Sequence, residues 1–168
     1  MRNLLLPVDF SDATERVIFT AEQLARAFSA KLWLLHCVGD DPTVGVIGEI
    51  PTYVPVPDTP LPVRFPEEDR KLADLTASLI KRGVDAEGLL VGGSVIDSIL
   101  AAADKHQVDL IVIGSHGHGA LYELLVGTVT KAVLQNSGKP TLIVPCLVGP
   151  SHQYVAASQW GTQELAVD

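Results

Sequence analysis

The chain has 168 residues, 47% of them hydrophobic and 19% charged. That is enough apolar material for one buried core and argues against a chain disordered throughout. A formal net charge of −8 makes phosphate backbones and anionic lipid headgroups poor partners, so neither nucleic acid nor a membrane surface is expected.

No apolar run approaches the roughly 20 residues that span a bilayer. The opening MRNLLLPVDF has too short an apolar stretch for a secretory segment, so a cytoplasmic protein is expected. Two cysteines, Cys37 and Cys146, make no disulfide framework.

Residues 3–8 form a short apolar run before Asp9 and predict a buried strand. Ser11 offers an N-cap oxygen to a helix with Asp12 and Glu15 near its positive end. Val17, Ala21, Leu24, Ala25 and Phe28 recur at helical spacing as its apolar face. Residues 31–38, rich in Leu and Trp, predict a second strand. Residues 39–66 hold seven of the eleven prolines, including Pro51, Pro55, Pro57, Pro60 and Pro62. Proline donates no ladder hydrogen bond and blocks helix interiors, so this segment reads as a long connection, a semi-ordered flap partly in polyproline conformation.

Helical spacing returns over residues 67–82, with Leu72, Leu75 and Leu79 on one face and Gly83 just past the end. Residues 84–91 alternate weakly and predict a third strand, at a sheet edge. Ser94, with Asp97 three residues on, caps a helix whose apolar face is Ile96, Ile99, Leu100 and Ala103. Residues 109–113 predict a fourth strand and 140–144 a fifth. Between them lie a glycine-punctuated segment, 114–127, and a helix over 128–137 with Val129, Ala132 and Val133 inward, ended by Gly138. Strands apolar throughout and alternating with helices imply an α/β fold, a doubly wound parallel sheet covered on both faces. The expected domain is 1–146 with its insert at 39–66; residues 147–168, which include Tyr154 and Trp160, lack a period and form a tail.

The segment GSHGHGALYELLVGTVT, 114–130, carries the chemistry. It follows a strand and opens a helix, and ligands of open parallel sheets bind outside the carboxyl ends of the strands. Gly114, Gly117 and Gly127 would allow close backbone approach and positive φ. The amides of Thr128, Val129 and Thr130 are orphan donors at a helix start, and with the two threonine hydroxyls they would cradle a phosphate. The plainer alternative makes these glycines turn and packing residues. Asp9, after the first strand, would face the same crevice and could hold a divalent cation or a ribose hydroxyl, or simply cap the first helix. His116 and His118 without a clear third ligand are weak evidence for a metal, and phosphate or solvent contact suits them better.

Gly114, Gly117, Gly127 and Thr128 in the spacing G-x2-G-x9-G-[S/T] resemble the ATP-binding pattern of universal stress proteins. LLLPVDFSDAT, LLHCV, VDLIVIGSHG and KPTLIVP extend the resemblance over residues 3–145, apart from the Pro-rich insert. The resemblance implies an open five-stranded parallel sheet of order 3-2-1-4-5, homodimers paired through the fifth strand, and a bound nucleotide. It puts Pro7, Val8 and Asp9 on the adenine and ribose side, Cys37 against adenine through its backbone, and Ile113 and Gly114 beside the base and ribose. His116, Gly117, Gly127, Thr128, Val129 and Thr130 would surround the phosphates, with Mg²⁺ or Mn²⁺ as accompanying ions and Asp9 as the candidate metal ligand. In that order the second and fifth strands stand roughly 14 Å apart. Disulfide Cα atoms lie within about 7 Å, which argues against a Cys37–Cys146 bond in one chain. Cys37, where valine is frequent in the family, would be redox-sensitive if exposed.

The expected function is a regulatory ATP-binding module in stress response, read by an unidentified protein partner. One alternative is a slow ATPase or an AMP- or cyclic AMP-binding protein; another is a dimeric interaction protein that needs no nucleotide. The turn DFSDAT carries neither the SGGxDS nor the HxGH signature of enzymes on related sheets, and only Asp9 and His116 could serve hydrolysis.

Overall fold

The computed structural model describes residues 1–11, 14–39, 44–47, 50–53, 60–115 and 127–145. The principal sheet consists of β1 (Asn3–Pro7), β2 (Lys31–Val38), β5 (Ala86–Gly92), β6 (Leu110–Gly114) and β7 (Thr141–Val144). Its order is β5-β2-β1-β6-β7 and every pairing is parallel. Counting only these strands along the chain, the order is the expected 3-2-1-4-5, with β5 at an edge as its weak alternation suggested.

Alternation of side chains along the strands divides the core into two layers. Leu4, Leu6, Leu32, Leu34 and Val112 face one side, packed with Val17, Ile18, Ala21 and Ala25 of α1 (Thr14–Phe28) and Leu72 and Leu79 of α3 (Pro66–Lys81). Leu5, Leu35 and Ile111 face the other side, against Ile99, Ala102 and Ala103 of α4 (Val95–Lys105) and Val133 of α5 (Thr128–Asn136). Both faces are therefore covered, which is why the strand sequences show so little polar alternation. Phe28, expected on the inner face of α1, is instead 48% exposed, although Ala25 in the same last turn is buried.

Two helix ends behave as their residues demand. Ser94 Oγ accepts from Asp97 N at the start of α4. Gly83 takes φ +83° after α3, and Val84 N–H reaches back to Leu79 O at 3.1 Å, the closing bond of a helix-ending turn that a left-handed residue permits.

The Pro-rich insert departs from the sequence reading. It is not one continuous connection: β3 (Val44–Ile47) and β4 (Ile50–Tyr53) form a separate antiparallel ribbon, and α2 (Leu61–Arg64) precedes α3. Pro51 lies within β4 opposite Val46, where a two-stranded ribbon has outer positions that need no ladder donor. Pro66 occupies the first turn of α3, a position whose amide has no intrahelical partner anyway, followed by Glu67, Glu68 and Asp69 at the positive helix end. Prolines here start structure as well as interrupt it.

One ionic cluster ties the first face together. Glu22 on α1 is only 8% exposed and accepts from Arg26 at 2.9 Å and from Arg82, at the end of α3, at 3.0 Å. Hydrogen bonding from Arg26 holds its carboxyl below the ordinary range; burial opposes this and Arg82 adds to it.

Candidate functional site

At the carboxyl ends of β1, β2 and β6 the sheet opens into a cleft of about 170 Å³. Pro7, Val8 and Asp9 enter it from the end of β1, and His36 and Cys37 from the end of β2. Ile113 and Gly114 close it from β6, Val129 and Thr130 from α5, and Val95 and Ile99 of α4 line another part of its wall. The strand order produces this meeting: connections leave β1 and β6 toward opposite sides, so the sheet edge between them stays open.

Eight of the residues singled out from sequence line this one cleft: Pro7, Val8, Asp9, Cys37, Ile113, Gly114, Val129 and Thr130. Gly127 and Thr128 stand beside it at the start of α5. His116, Gly117, His118 and Cys146 lie outside the described residues. Sequence reasoning missed Ser11, Thr14, Val17, Leu35, His36, Val95 and Ile99 as lining residues. The start of α4 could have been found, since it too follows a strand at the carboxyl edge.

Asp9 organises the turn after β1. Its Oδ1 accepts from Ser11 N at 3.0 Å, Ser11 Oγ at 2.6 Å and Thr14 Oγ1 at 3.2 Å. This corrects the expected cap. Helix α1 begins at Thr14, and the Ser11 hydroxyl is spent on Asp9; the carboxylate gathers the donors, as an acidic side chain does ahead of a positive helix end. Between them Phe10 adopts φ +55°, a left-handed conformation that few residues other than glycine occupy.

The start of α5 has the geometry of an anion seat. Gly127 is the N-cap, its N–H donating to Ser115 O at 2.8 Å and its carbonyl accepting from Lys131 N at 2.9 Å. The amides that follow, from Thr128 to Thr130, belong to the first turn, where no intrahelical carbonyl is available. Two expectations need correction. Gly127 has φ −55°, and Gly114 is absent from the positive-φ glycines, so neither is required for left-handed backbone. Gly114 is paired with Val144 in the sheet and Gly127 has the extended geometry usual for an N-cap, so neither position needs glycine for its backbone. The Thr130 hydroxyl also does not face outward: it donates to Gly114 O at 2.9 Å, and the residue is 3% exposed. It staples α5 to β6, leaving the Thr128 hydroxyl and the main chain as donors.

The Cys37 thiol is half-buried and unbridged. Burial pushes its pKa up, opposed by a hydrogen bond with Ser98, so the reactive thiolate is disfavoured at neutral pH. Among the described residues no group of three His, Cys, Asp or Glu side chains could hold a metal, and no helix is long and apolar enough to cross a membrane.

Comparison with known proteins agrees with this architecture. Residues 1–145 match the model of the universal stress protein family, and the chain belongs to that family. It is 28% identical over 153 residues to universal stress protein MJ0577 of Methanocaldococcus jannaschii, covering 85% of this chain and 94% of that one. It is 31% identical over 150 residues to universal stress protein YxiE of Bacillus subtilis, covering 84% and 97%. The solved MJ0577 structure superposes with a TM-score of 0.69 over 86% of this chain and 95% of that one, at 27% identity. At 23% identity, where likeness speaks for fold alone, two further neighbours are a universal stress protein in complex with cAMP and one from Archaeoglobus fulgidus in complex with dAMP. Their TM-scores are 0.61 and 0.59, over 87% and 85% of this chain and 98% and 97% of theirs.

Proposed function

We propose that this chain is a regulatory module that binds an adenine nucleotide, ATP being the ligand its glycine pattern favours. The observation that carries the reading is the meeting of an apolar slot with the amino end of α5 at one open sheet edge. A purine needs flat apolar walls, which Val8, Ile99 and Ile113 supply, with the Cys37 backbone at the rim for its edge. Phosphates would lie against the amides of Thr128, Val129 and Thr130 and the Thr128 hydroxyl, where the helix dipole favours negative charge and Gly127 leaves room. His116 and Gly117, which match the family pattern, would complete the phosphate side, and Asp9, which lines the cleft, would stand on the ribose side.

The acidic chain does not oppose this, because oriented backbone donors hold an anion locally against the global field. Mg²⁺ or Mn²⁺, where bound, would be held chiefly by the nucleotide's own phosphates, since Asp9 Oδ1 already serves its turn. AMP and cyclic AMP belong to the same reading: the adenosine half of the site is shared, and two neighbours of this fold were solved with cAMP and dAMP. A homodimer through β7 is part of it too, since that strand pairs with β6 alone among the described residues. Occupancy would then alter a surface read by a protein partner.

The test is calorimetric titration of the purified protein with ATP, AMP and cyclic AMP, together with mass identification of any small molecule released on denaturation. Saturable binding of at least one adenine nucleotide is expected. No binding at millimolar concentrations and no released nucleotide would refute the reading in favour of a nucleotide-independent interaction protein.

A further inference from the structure

Beyond the end of β1 the regular ladder gives way to a side-chain clamp. Val8 N–H still donates to Leu35 O at 2.8 Å, but Val8 O is taken by a side chain, accepting from Nδ1–H of His36 at 2.8 Å. The same imidazole stacks on Phe10, ring centroids 4.3 Å apart and planes tilted by 42°. Lys71 of α3 lies 5.8 Å from the Phe10 ring centre, and the ring packs on the inner layer of the α1 and α3 face. Phe10 is one of three described non-glycine residues with positive φ, with Ser29 and Gln107, and a bulky residue in that conformation persists only where its surroundings over-determine it. Here one side chain grips the carbonyl on one side of Asp9 and the ring on the other.

We propose that His36 is a positioning residue for Asp9. By holding Val8 O and seating the Phe10 ring it fixes the reversed turn that aims the Asp9 carboxylate at the cleft and aligns it with Ser11 and Thr14. The proposal rests on the nucleotide reading for its functional consequence, while the clamp is built from contacts within the chain. The two halves of the imidazole's work are separable. His36→Asn keeps a donor near the position of Nδ1 and loses the ring; His36→Phe keeps a ring and loses the donor. Phe10→Gly removes the stacked ring while suiting the left-handed backbone better, so it keeps the proposal testable should the His36 variants fold poorly.

Two measurements decide it. In ligand-free protein, hydrogen exchange at the Ser11 amide, which donates to Asp9 Oδ1, should accelerate about tenfold in His36→Phe and Phe10→Gly while exchange at Asn3, on the opposite sheet edge, stays unchanged. By calorimetry each single variant should weaken ATP binding about tenfold, His36→Asn less than His36→Phe, and these losses should shrink to less than about twofold in an Asp9→Ala background. Equal losses with and without Asp9 would overturn the positioning role, as would unchanged affinity and Ser11 exchange in the single variants. Should wild-type protein bind no nucleotide while Ser11 exchange still responds, the nucleotide reading falls and the clamp stands.

Discussion

The two edges of the parallel sheet are built from the same strands and are chemically opposite. At the amino edge polar groups are matched to one another. Asp109 accepts from the amides of Arg2 and Asn3, and Trp33 Nε1 donates to Asn3 Oδ1 at 3.3 Å. Lys31 lies over the Trp33 ring and pairs with Glu87 at 2.7 Å, and His106 stacks on Trp33 with centroids 3.9 Å apart. Burial there pushes the His106 pKa below its ordinary value, and the two backbone hydrogen bonds hold Asp109 below the carboxylate range. At the carboxyl edge the same strands end in an open cleft, a left-handed phenylalanine and the amino end of a helix. Parallel strands put carbonyl-end loops and helix starts on one side only, so that side acquires amides with no intrahelical partner while the other shows the pairing described above. Strain does not separate the edges, since Ser29 and Gln107 at the amino edge have positive φ as Phe10 does at the other; what sets the carboxyl edge apart is a helix start beside an open cleft.

This contrast can be broken from either side. The largest effect should come from Gly127→Val. The φ of −55° and ψ of 156° at Gly127 suit an L-residue, so the fold should survive with a melting temperature within about 2 °C, while the side chain fills phosphate space and ATP affinity falls by about 100-fold or more. Calorimetry and thermal melting check both halves. Asp9→Ala should lower ATP affinity about tenfold and, by removing the cap acceptor of Ser11 and Thr14, cost about 1 kcal/mol of stability in urea.

At sites away from the cleft, stability should move and binding should not. Glu22→Gln breaks the α1–α3 ion cluster and should cost about 1–2 kcal/mol with ATP affinity unchanged. Its pKa is depressed in the folded protein, so its contribution is complete above the ordinary glutamate value of 4.5 and fades as the pH falls through the lower folded value. The variant should accordingly show a shallower acid transition than wild type. Asp109→Asn should behave likewise at the amino edge, losing stability that wild type keeps above its ordinary value of 3.8, again with no change in ATP binding. The smallest effect concerns Cys37: alkylation at pH 7 should be slow, accelerate above about pH 9 as the thiol ionises, and be slowed further by ATP.

The five parallel strands could be read from apolar runs punctuated by turn residues, because both sheet faces are buried and the signal is strong. Their spatial order could not be read that way: hydrophobicity says that a strand is inside, not which strand lies beside it, and the order came from a resemblance. The ribbon of β3 and β4 escaped detection because proline composition masks short antiparallel pairing, and Phe28 was misplaced because helical spacing does not tell which positions of an apolar stripe the rest of the fold covers. Asp9 and the glycine segment were visible from their positions after strands. The left-handed Phe10 and the donor from His36 to Val8 O were not, since both arise from β2 meeting the end of β1 in three dimensions. The inward turn of the Thr130 hydroxyl was hidden for the same reason.

An NMR titration of isotopically labelled protein with ATP tests most directly whether the open edge is the working one. The amide resonances of Thr128, Val129 and Thr130 should shift saturably with those of Cys37, while Asn3 and Asp109 at the opposite edge stay where they are. Saturable shifts that spare the start of α5, or that centre on the amino edge, would contradict the account.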